Sequence, residues 1–432
     1  MRIEDAIQKR ILILDGAMGT MVQSYGLTEE DFWREDFLNI EHGTLNIERL
    51  YLESEESDKC RSTFNVQRST LRALQMKGNN DVLCLTRPDV VNDIHRRYLE
   101  AGADMIETNT FSAQRISQAD YHLQYYAREI ALAGARLARH MADQYSTVGK
   151  PRFVAGSVGP TNKTCSMSPD VSNPARRDLT YGQLFEAYVE QMDALIEGGV
   201  DALLIETIFD TLNAKCAIDA AMTAMRQRGV ELPIMLSVTV SDLAGRTLSG
   251  QTLDAFLASV STYPIFSVGL NCSFGARQMK PFLKELARRA PYYISCYPNA
   301  GLPNSLGLYD ETAESMAPQI GELIDEGLVN IVGGCCGTTD EFIRRYLPLV
   351  AGKQPHRPAE KPKAMWLSGL ELLDVEHGTL NVERRYLEHE ESDTCRSTFN
   401  VQRSPSDTCR STFNVQRSPS DTCRSTFNVQ RS

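Results

Sequence analysis

The sequence has no apolar run that approaches the roughly 18 residues that a membrane-spanning helix needs. Its N-terminus, MRIEDAIQKR, has no apolar core of the kind found in signal peptides. The 45 Lys and Arg residues are outnumbered by 56 Asp and Glu residues, so the net charge is −11 and no basic stripe is available for a nucleic acid. We therefore expect a cytoplasmic protein that binds neither membranes nor nucleic acids.

Histidine is scarce, with seven residues, and none of them ends an apolar, strand-like run. The 11 cysteines are an odd and dispersed set. In a large intracellular chain such a set does not indicate a disulfide framework. If the core binds a metal, sulfur is therefore the expected ligand.

Two kinds of sequence share the chain. Residues 40–69 and 375–404 differ at only five of 30 positions, and the tail then repeats SDTCRSTFNVQRSP with a period of 14. These units are polar and have no sustained helical or strand period, so they cannot bury enough surface to offset the entropy of ordering. We expect a polar insertion at about 40–75 and a mostly disordered low-complexity tail at 375–432. An adhesion or assembly function of the tail is the alternative.

Elsewhere short apolar runs end in glycine or polar residues, and longer segments follow them. Eight such runs lie at 11–19, 103–111, 152–160, 201–209, 232–240, 265–273, 292–301 and 328–337. Segments 87–102 and 179–199 have apolar residues at helical spacing and end at glycines. This alternation predicts a (β/α)8 barrel over 1–350, followed by a linker at 351–374. A doubly wound sheet is the alternative, but DGAMGT lacks the GxGxxG spacing of its phosphate loop.

Cysteines end two of the runs, Cys272 in the sixth and Cys335 and Cys336 in the eighth. The C-terminal ends of barrel strands carry the chemistry of this fold. Three thiolates meeting there would suit Zn²⁺ and leave its fourth position open for a substrate. The spacing alone leaves open a redox-active pair of neighbouring cysteines and simple burial.

Adjacent cysteines cannot both face one point from a regular strand, because successive side chains alternate. The chain must therefore bend at this point. Gly333, Gly334 and Gly337 flank the two cysteines, and we expect them to supply the necessary backbone freedom.

Carboxylates also end apolar runs. Asp15 ends the first run and Glu206 the fourth, so both should point into the mouth of a barrel. Glu107 and Asn109 end the second run in the same way. The alternative for Asp15 or Glu206 is that the carboxylate caps the helix that follows.

Ten segments resemble the homocysteine S-methyltransferase family. They are DGAMGT (15–20), KGNND (77–81), AGADMIETNTF (101–111), GPTN (159–162), SPDV (168–171), IETIFDTLNAK (205–215), GRTLSGQT (245–252), GLNC (269–272), PNAGLPN (298–304) and VGGCCGTT (332–339). The blocks around GPTN, SPDV and IETIFDTLNAK are most similar to the N-terminal homocysteine-binding module of cobalamin-dependent methionine synthase. WLSGLELL (366–373) is similar to the start of the linker into its folate-binding module.

The resemblance implies a (β/α)8 barrel in which Cys272, Cys335 and Cys336 bind zinc. Zinc would activate the thiol of homocysteine, which then accepts a methyl group to form methionine. The positions expected to contact or surround the substrate are Asp15, Glu206, Gly16, Glu107, Asn109 and Asn271.

Two features depart from the family pattern. The first repeat replaces a short segment of the first βα connection with about 35 residues, on the face that carries the active site. It either loops out at small entropic cost or hinders a partner that docks there. No segment resembles a folate- or cobalamin-binding module, so a methionine synthase activity would take methylcobalamin from a separate polypeptide that carries such modules.

Three hypotheses follow. The leading one is the homocysteine-activating subunit of a split cobalamin-dependent methionine synthase. The second is a free-standing homocysteine S-methyltransferase that uses S-methylmethionine or betaine, although no aromatic cage for a quaternary ammonium can be read from the sequence. The third is a decayed barrel that acts as a binding module, and the intact set of three cysteines argues against it.

Overall fold

The structure, a computed structural model, describes residues 1–38, 75–304, 309–361 and 364–375, together with three short strands between 398 and 430. Almost all of the polar insertion at about 40–75 and most of the repeat tail lie outside the described residues. The expected disorder of the tail therefore stays a prediction. Among the described helices, none is both long and apolar enough to cross a membrane.

Eight parallel strands form the predicted barrel. They are β1 (Leu12–Ile13), β2 (Met105–Glu107), β3 (Phe153–Val158), β4 (Ala202–Ile208), β5 (Ile234–Val238), β6 (Ile265–Asn271), β7 (Tyr293–Tyr297) and β8 (Ile331–Val332). Each predicted apolar run contains one of them. Strands adjacent in sequence pair from β2 to β8, and β8 pairs with β1. A bridge between Leu14 and Met105 joins β1 to β2. The (β/α)8 prediction is therefore confirmed, and the open-sheet alternative is wrong.

Helices surround the barrel. They are α1 (Ile3–Ile7), α2 (Met18–Gln23), α3 (Leu83–Thr86), α4 (Pro88–Ala101), α5 (Arg115–Gln118), α6 (Ala127–Tyr145), α7 (Tyr181–Glu197), α8 (Thr211–Arg228), α9 (Leu253–Val260), α10 (Ala276–Arg289), α11 (Ala313–Asp325) and α12 (Asp340–Val350). Within the described residues, four short 3₁₀ helices span Glu29–Phe32, Glu35–Leu38, Asn80–Val82 and Ala119–Tyr121.

Local sequence explains where the two predicted helices begin and end. Helix α4 starts at Pro88, whose fixed φ suits a first helical turn, and stops at Gly102, whose φ is 112°. Helix α7 starts after Thr180, whose side chain accepts a hydrogen bond from the backbone N–H of Gln183. Helix α4 thus ends shortly before β2 begins, and α7 lies between β3 and β4.

The barrel interior is filled from several strands at once. Leu14, Met105, Leu204 and Met235 belong to one buried cluster there. Ile7 of helix α1, which directly precedes β1, belongs to the same cluster. Full burial of such a side chain stabilises the fold by roughly 1.5–3 kcal/mol. The C-terminal end of the strands is left for polar side chains.

A second compact unit comprises Lys361–Ser432, and the first comprises Met1–Glu360. In the second unit, β9 (Met365–Ser368) and β10 (Leu372–Val375) form an antiparallel hairpin from the segment WLSGLELL. Strands β11 (Thr398–Val401), β12 (Thr412–Arg417) and β13 (Ser425–Gln430) form a separate sheet. The division into barrel, linker at 351–374 and tail at 375–432 stays a prediction.

Candidate active site

Three cysteines meet at the C-terminal end of the barrel. Cys272 follows β6, and Cys335 and Cys336 follow β8 by a few residues. The Sγ atom of Cys336 lies 3.6 Å from that of Cys272 and 4.0 Å from that of Cys335. Sulfur atoms bound to one tetrahedral zinc at about 2.3 Å would lie about 3.8 Å apart. Two of the three separations therefore match those around one tetrahedral zinc ion.

The cluster is accessible as well as compact. The three Sγ atoms all lie within 4.8 Å of one another, and each cysteine is half-buried. A fourth ligand can therefore reach a bound ion from the solvent side. Hydrogen bonds from Cys272 and Cys335 lower the pKa of the Cys336 thiol to about 3, so the cluster favours at least one thiolate.

The turn that carries Cys335 and Cys336 is held by hydrogen bonds. The N–H of Cys335 donates to the carbonyl of Pro298 at 2.8 Å, and the hydroxyl of Thr338 donates to the carbonyl of Cys335 at 2.7 Å. These bonds take the chain out of the strand pattern directly after β8. The two neighbouring side chains can then lie on the same side.

The flanking glycines act differently from the prediction. Only Gly337 has a left-handed backbone, with φ of 82°. Gly334 keeps a negative φ, but a Cβ at that position would lie 2.3 Å from Oγ1 of Thr338. The prediction that all three glycines supply freedom to bend is therefore wrong for Gly333 and Gly334, which permit close packing instead. A Cβ on Gly333 would lie 2.8 Å from Cβ of Leu14.

Three buried or half-buried carboxyl groups form a second cluster. The backbone N–H of Glu107 donates to Oδ2 of Asp15 at 3.0 Å, and the hydroxyl of Ser157 donates to Oε1 of Glu206. Oδ1 of Asp15 and Oε1 of Glu107 are buried without a hydrogen-bond partner. Such oxygens are costly unless they receive a donor. The cluster is thus suited to accept a cation with N–H groups.

Burial dominates the electrostatics of these carboxyl groups. It raises the pKa of Glu206 to about 7. It also raises the pKa of Asp15 and of Glu107 well above the usual values, and the neighbouring carboxyl groups add to both shifts. A bound cation would reverse these shifts, because it stabilises the ionised forms.

The alternative role of helix capping is excluded for Asp15 and Glu206. The N-cap of α2 is Ala17, without a side-chain hydrogen bond. The N-cap of α8 is Asp210, whose carboxylate accepts from the N–H groups of Leu212 and Asn213. Asp15, which follows β1, and Glu206, which lies near the C-terminal end of β4, are therefore not used as helix caps.

Asn271 lies beside the sulfur cluster, where the sequence placed it. Its Nδ2 lies 3.9 Å from Sγ of Cys335 and donates to the hydroxyl of Thr207 at 2.8 Å. Its Oδ1 accepts from the hydroxyl of Ser237 at 2.7 Å and from the N–H of Thr207 at 3.1 Å. All polar atoms of the amide are thus engaged within the barrel.

Asn109 and Gly16, two other predicted site residues, contact neighbouring parts of the barrel. Nδ2 of Asn109 donates to the carbonyl of Asn80 at 2.7 Å, so this side chain fastens the KGNND loop instead of joining the carboxylates. A Cβ on Gly16 would lie 2.9 Å from Oγ1 of Thr338 and from the hydroxyl of Tyr98. Gly16 therefore lets the end of β1 pack closely against these two side chains.

Sequence reasoning missed Ser157 and Thr207. Ser157 stands near the end of the third apolar run, so the strand-end rule that identified Glu206 would also have found it. Thr207 has φ of 55°, which is rare for a β-branched residue. No local sequence signal predicts that conformation, because it depends on the distant partner Asn271.

Solved structures share this architecture. The oxidised form of the homocysteine methyltransferase MmuM from Escherichia coli superposes with a TM-score of 0.53 at 20% identity and covers 78% of this chain and 94% of that one. Its metallated form gives 0.53 at 19% identity, covering 79% and 97%. At this identity the similarity establishes the shared fold. A model of the homocysteine S-methyltransferase family matches residues 12–347, and the chain therefore belongs to that family.

Proposed function

We propose that this protein catalyses zinc-dependent transfer of a methyl group to the thiol of homocysteine, forming methionine. The observation that carries the proposal is the set of Sγ atoms of Cys272, Cys335 and Cys336, whose separations of 3.6 and 4.0 Å suit one tetrahedral zinc. Zn²⁺ held there would lower the pKa of the substrate thiol, so that the sulfur is a nucleophilic thiolate at neutral pH.

The carboxylate cluster would hold the other end of the substrate. The α-ammonium group of homocysteine has three N–H donors, and Asp15 and Glu107 each offer a buried oxygen without a partner. Glu206 adds a third carboxyl group, oriented by Ser157. Binding the ammonium would replace the repulsion among these groups with attraction. The amino-acid end is thereby fixed while the sulfur lies at the cysteines.

The reaction we propose is a direct displacement at carbon. A bond forms between the homocysteine sulfur and the methyl carbon, and the bond from that carbon to the donor breaks with its electron pair on the donor. The thiol proton is released to solvent. Methionine is a neutral thioether and a weak zinc ligand, so it leaves. None of the cysteines becomes methylated in this scheme.

We further propose that the donor is methylcobalamin on a separate polypeptide with folate- and cobalamin-binding modules. The support is the likeness of the GPTN, SPDV and IETIFDTLNAK blocks to the homocysteine-binding module of methionine synthase. A second support is that the three cysteines are only half-buried, because a methyl donor on another chain needs access to the substrate sulfur.

The donor assay tests this proposal directly. Zinc-loaded protein is incubated with homocysteine and with methylcobalamin, S-methylmethionine or betaine, and methionine is measured. We expect turnover with methylcobalamin alone, and its loss in Cys336→Ser. Turnover with S-methylmethionine or betaine would instead show a free-standing enzyme. A zinc-loaded protein that binds no homocysteine would contradict the catalytic proposal and favour a binding module.

A further inference from the structure

Two residues of the site have a strained backbone. Among the described residues, three that are not glycine have positive φ, namely His122, Thr207 and Cys272. Thr207 and Cys272 have φ of 55° and 53° and lie near the C-terminal ends of β4 and β6. Backbone of this kind persists only where surrounding contacts impose it. Its position beside the two clusters indicates a functional cause.

The strain at Thr207 reshapes β4 directly after Glu206. The pairing of β4 with β5 shifts register between Ile205 and Ile208, which is the signature of a bulge. In a regular strand successive side chains alternate between the two faces. The bulge re-aims the residues around it and so sets the direction in which Glu206 leaves the strand.

A reciprocal pair of hydrogen bonds holds this bulge. The N–H of Thr207 donates to Oδ1 of Asn271 at 3.1 Å, and Nδ2 of Asn271 donates back to the Thr207 hydroxyl at 2.8 Å. Ser237 anchors Oδ1 of the same amide from β5, at 2.7 Å. Asn271 is fully buried, so these bonds are shielded from competing water.

The hydrogen-bonded pair of Thr207 and Asn271 connects the carboxylate cluster with the sulfur cluster. Thr207 is covalently next to Glu206 of the carboxylate cluster, and Asn271 is covalently next to Cys272 of the sulfur cluster. Nδ2 of Asn271 also lies 3.9 Å from Sγ of Cys335. A movement of either partner would therefore shift a carboxylate relative to the thiols.

We propose that Thr207 is a positioning residue that, through Asn271, sets the separation between the carboxylate cluster and the sulfur cluster and so selects the length of the amino thiol. The inference rests on the proposed function, in which Glu206 contacts the ammonium and Cys272 binds zinc. Homocysteine would match the fixed separation, and cysteine, with one methylene group fewer, would not.

Three variants test the proposal. Thr207→Val keeps the branched shape and removes the hydroxyl, whereas Thr207→Ser keeps the hydroxyl. Thr86→Val makes the same chemical change in α3, where the Thr86 hydroxyl donates to the carbonyl of Val82 at 3.3 Å. The dissociation constants of zinc, homocysteine and cysteine are measured by chelator competition and calorimetry, and folding is followed by thermal unfolding.

We expect Thr207→Val to weaken the binding of zinc and of homocysteine by about tenfold each. Loss of a hydrogen bond that supports a metal ligand typically costs about 10- to 100-fold in metal affinity, and we expect the lower end of that range. Its preference for homocysteine over cysteine should shrink, because the separation is no longer fixed. Thr207→Ser should recover most of both affinities. Thr86→Val should change the unfolding temperature alone.

Unchanged affinities and unchanged preference in Thr207→Val, with only a lower unfolding temperature, would overturn the inference. If that variant does not fold, Thr207→Ala takes its place with the same criteria. If the unaltered protein binds zinc but no homocysteine, the proposed function fails. In that case the zinc affinity of Thr207→Val still decides whether Thr207 positions Cys272.

Discussion

Cys272 and Cys336 are 64 positions apart in the sequence, and their Sγ atoms lie 3.6 Å from each other. The contact exists because β6 and β8 both flank β7 and end at the same face. The two residues are thus brought together by the barrel and not by a local motif.

The first prediction concerns zinc content. Cys272→Ser should reduce the bound zinc from one ion per chain to a small fraction, because oxygen is a poorer partner than thiolate for this borderline-soft ion. The measurement is metal analysis after dialysis against a weak chelator. Cys216→Ser is the matched control, since Cys216 is fully buried in α8 outside the cluster. Equal zinc loss in both variants would contradict the assignment.

The second prediction concerns the stability cost of Glu206. Its pKa is raised by burial from 4.5 to about 7, so the ionised form destabilises the ligand-free protein increasingly as the pH rises from 4.5 to 7. Above pH 7 the full shift corresponds to at most about 3 kcal/mol. Glu206→Gln should therefore increase the free energy of unfolding at pH 8 and leave it nearly unchanged at pH 4.5.

Urea unfolding at the two pH values measures this effect, with Glu231→Gln at an exposed position as control.

Glu206→Gln should also bind methionine more weakly. Methionine has no thiol proton, so its affinity for the unaltered protein should rise with pH through 7 as Glu206 ionises. The rise should be smaller in Glu206→Gln, where only Asp15 and Glu107 remain to ionise. A variant that is less stable than the unaltered protein at pH 8 would show that the carboxylate stabilises the fold.

The third prediction separates backbone strain from crowding. Gly337 and Gly229 both have positive φ, 82° and 66°. A Cβ on Gly337 would lie 2.5 Å from Cβ of Tyr309, whereas a Cβ on Gly229 meets nothing within 4 Å. Gly229→Ala should cost about 1 kcal/mol through strain alone. Gly337→Ala should cost more and also weaken zinc binding, because Cys336 is its neighbour.

Chemical denaturation and chelator competition measure the two effects. The comparison is informative since both changes add one methyl group at a left-handed glycine. Equal losses of stability together with intact zinc binding in both variants would mean that Tyr309 moves aside freely.

The fourth prediction concerns acid stability. His95 in α4 is fully buried, and neither ring nitrogen has a hydrogen-bond partner. Burial lowers its pKa from 6.5 to about 4, so the unfolded chain binds a proton more readily than the folded one between these values. Stability is therefore lost as the pH falls from 6.5 to 4, by at most about 3 kcal/mol.

His95→Leu should remove this part of the acid sensitivity. The difference in unfolding free energy between the variant and the unaltered protein should grow in favour of the variant as the pH decreases. The control for the loss of an imidazole is His140→Leu, at an exposed position of α6. A constant difference across pH 6.5 to 4 would argue that His95 finds a partner when it is protonated.

Much of this architecture could be predicted because its signals are local. Apolar runs and helix ends such as Pro88 and Gly102 depend on nearby residues, and they located every barrel strand and the two segments predicted as helices. The strand-end rule also placed Cys272 and Glu206 on the correct face. These inferences need only the periodicity of the backbone.

The features that the sequence did not reveal share one physical cause, which is dependence on tertiary contacts. Asn109 ends its apolar run, but β2 stops at Glu107, so the side chain turns toward the carbonyl of Asn80 instead. Gly333 and Gly334 were expected to supply backbone freedom. Instead, the close approach of Leu14 to Gly333 and of Thr338 to Gly334 leaves no room for a Cβ. The left-handed φ of Thr207 depends on an amide 64 positions away. None of these partners can be read from adjacent sequence.

The pairing of β1 with β8 has a consequence for folding during synthesis. The N–H of Gly334 donates to the carbonyl of Asp15 at 3.0 Å, so opposite ends of the barrel sequence meet at the site. Translation delivers Asp15 near the start and the cysteine pair only when the last strand has left the ribosome. The first strands therefore remain without their β8 partner through most of synthesis. Contacts between residues far apart in the sequence also form slowly. The three cysteines can therefore meet only after the last strand has been made, and a metal held by all three would bind late, to a finished barrel.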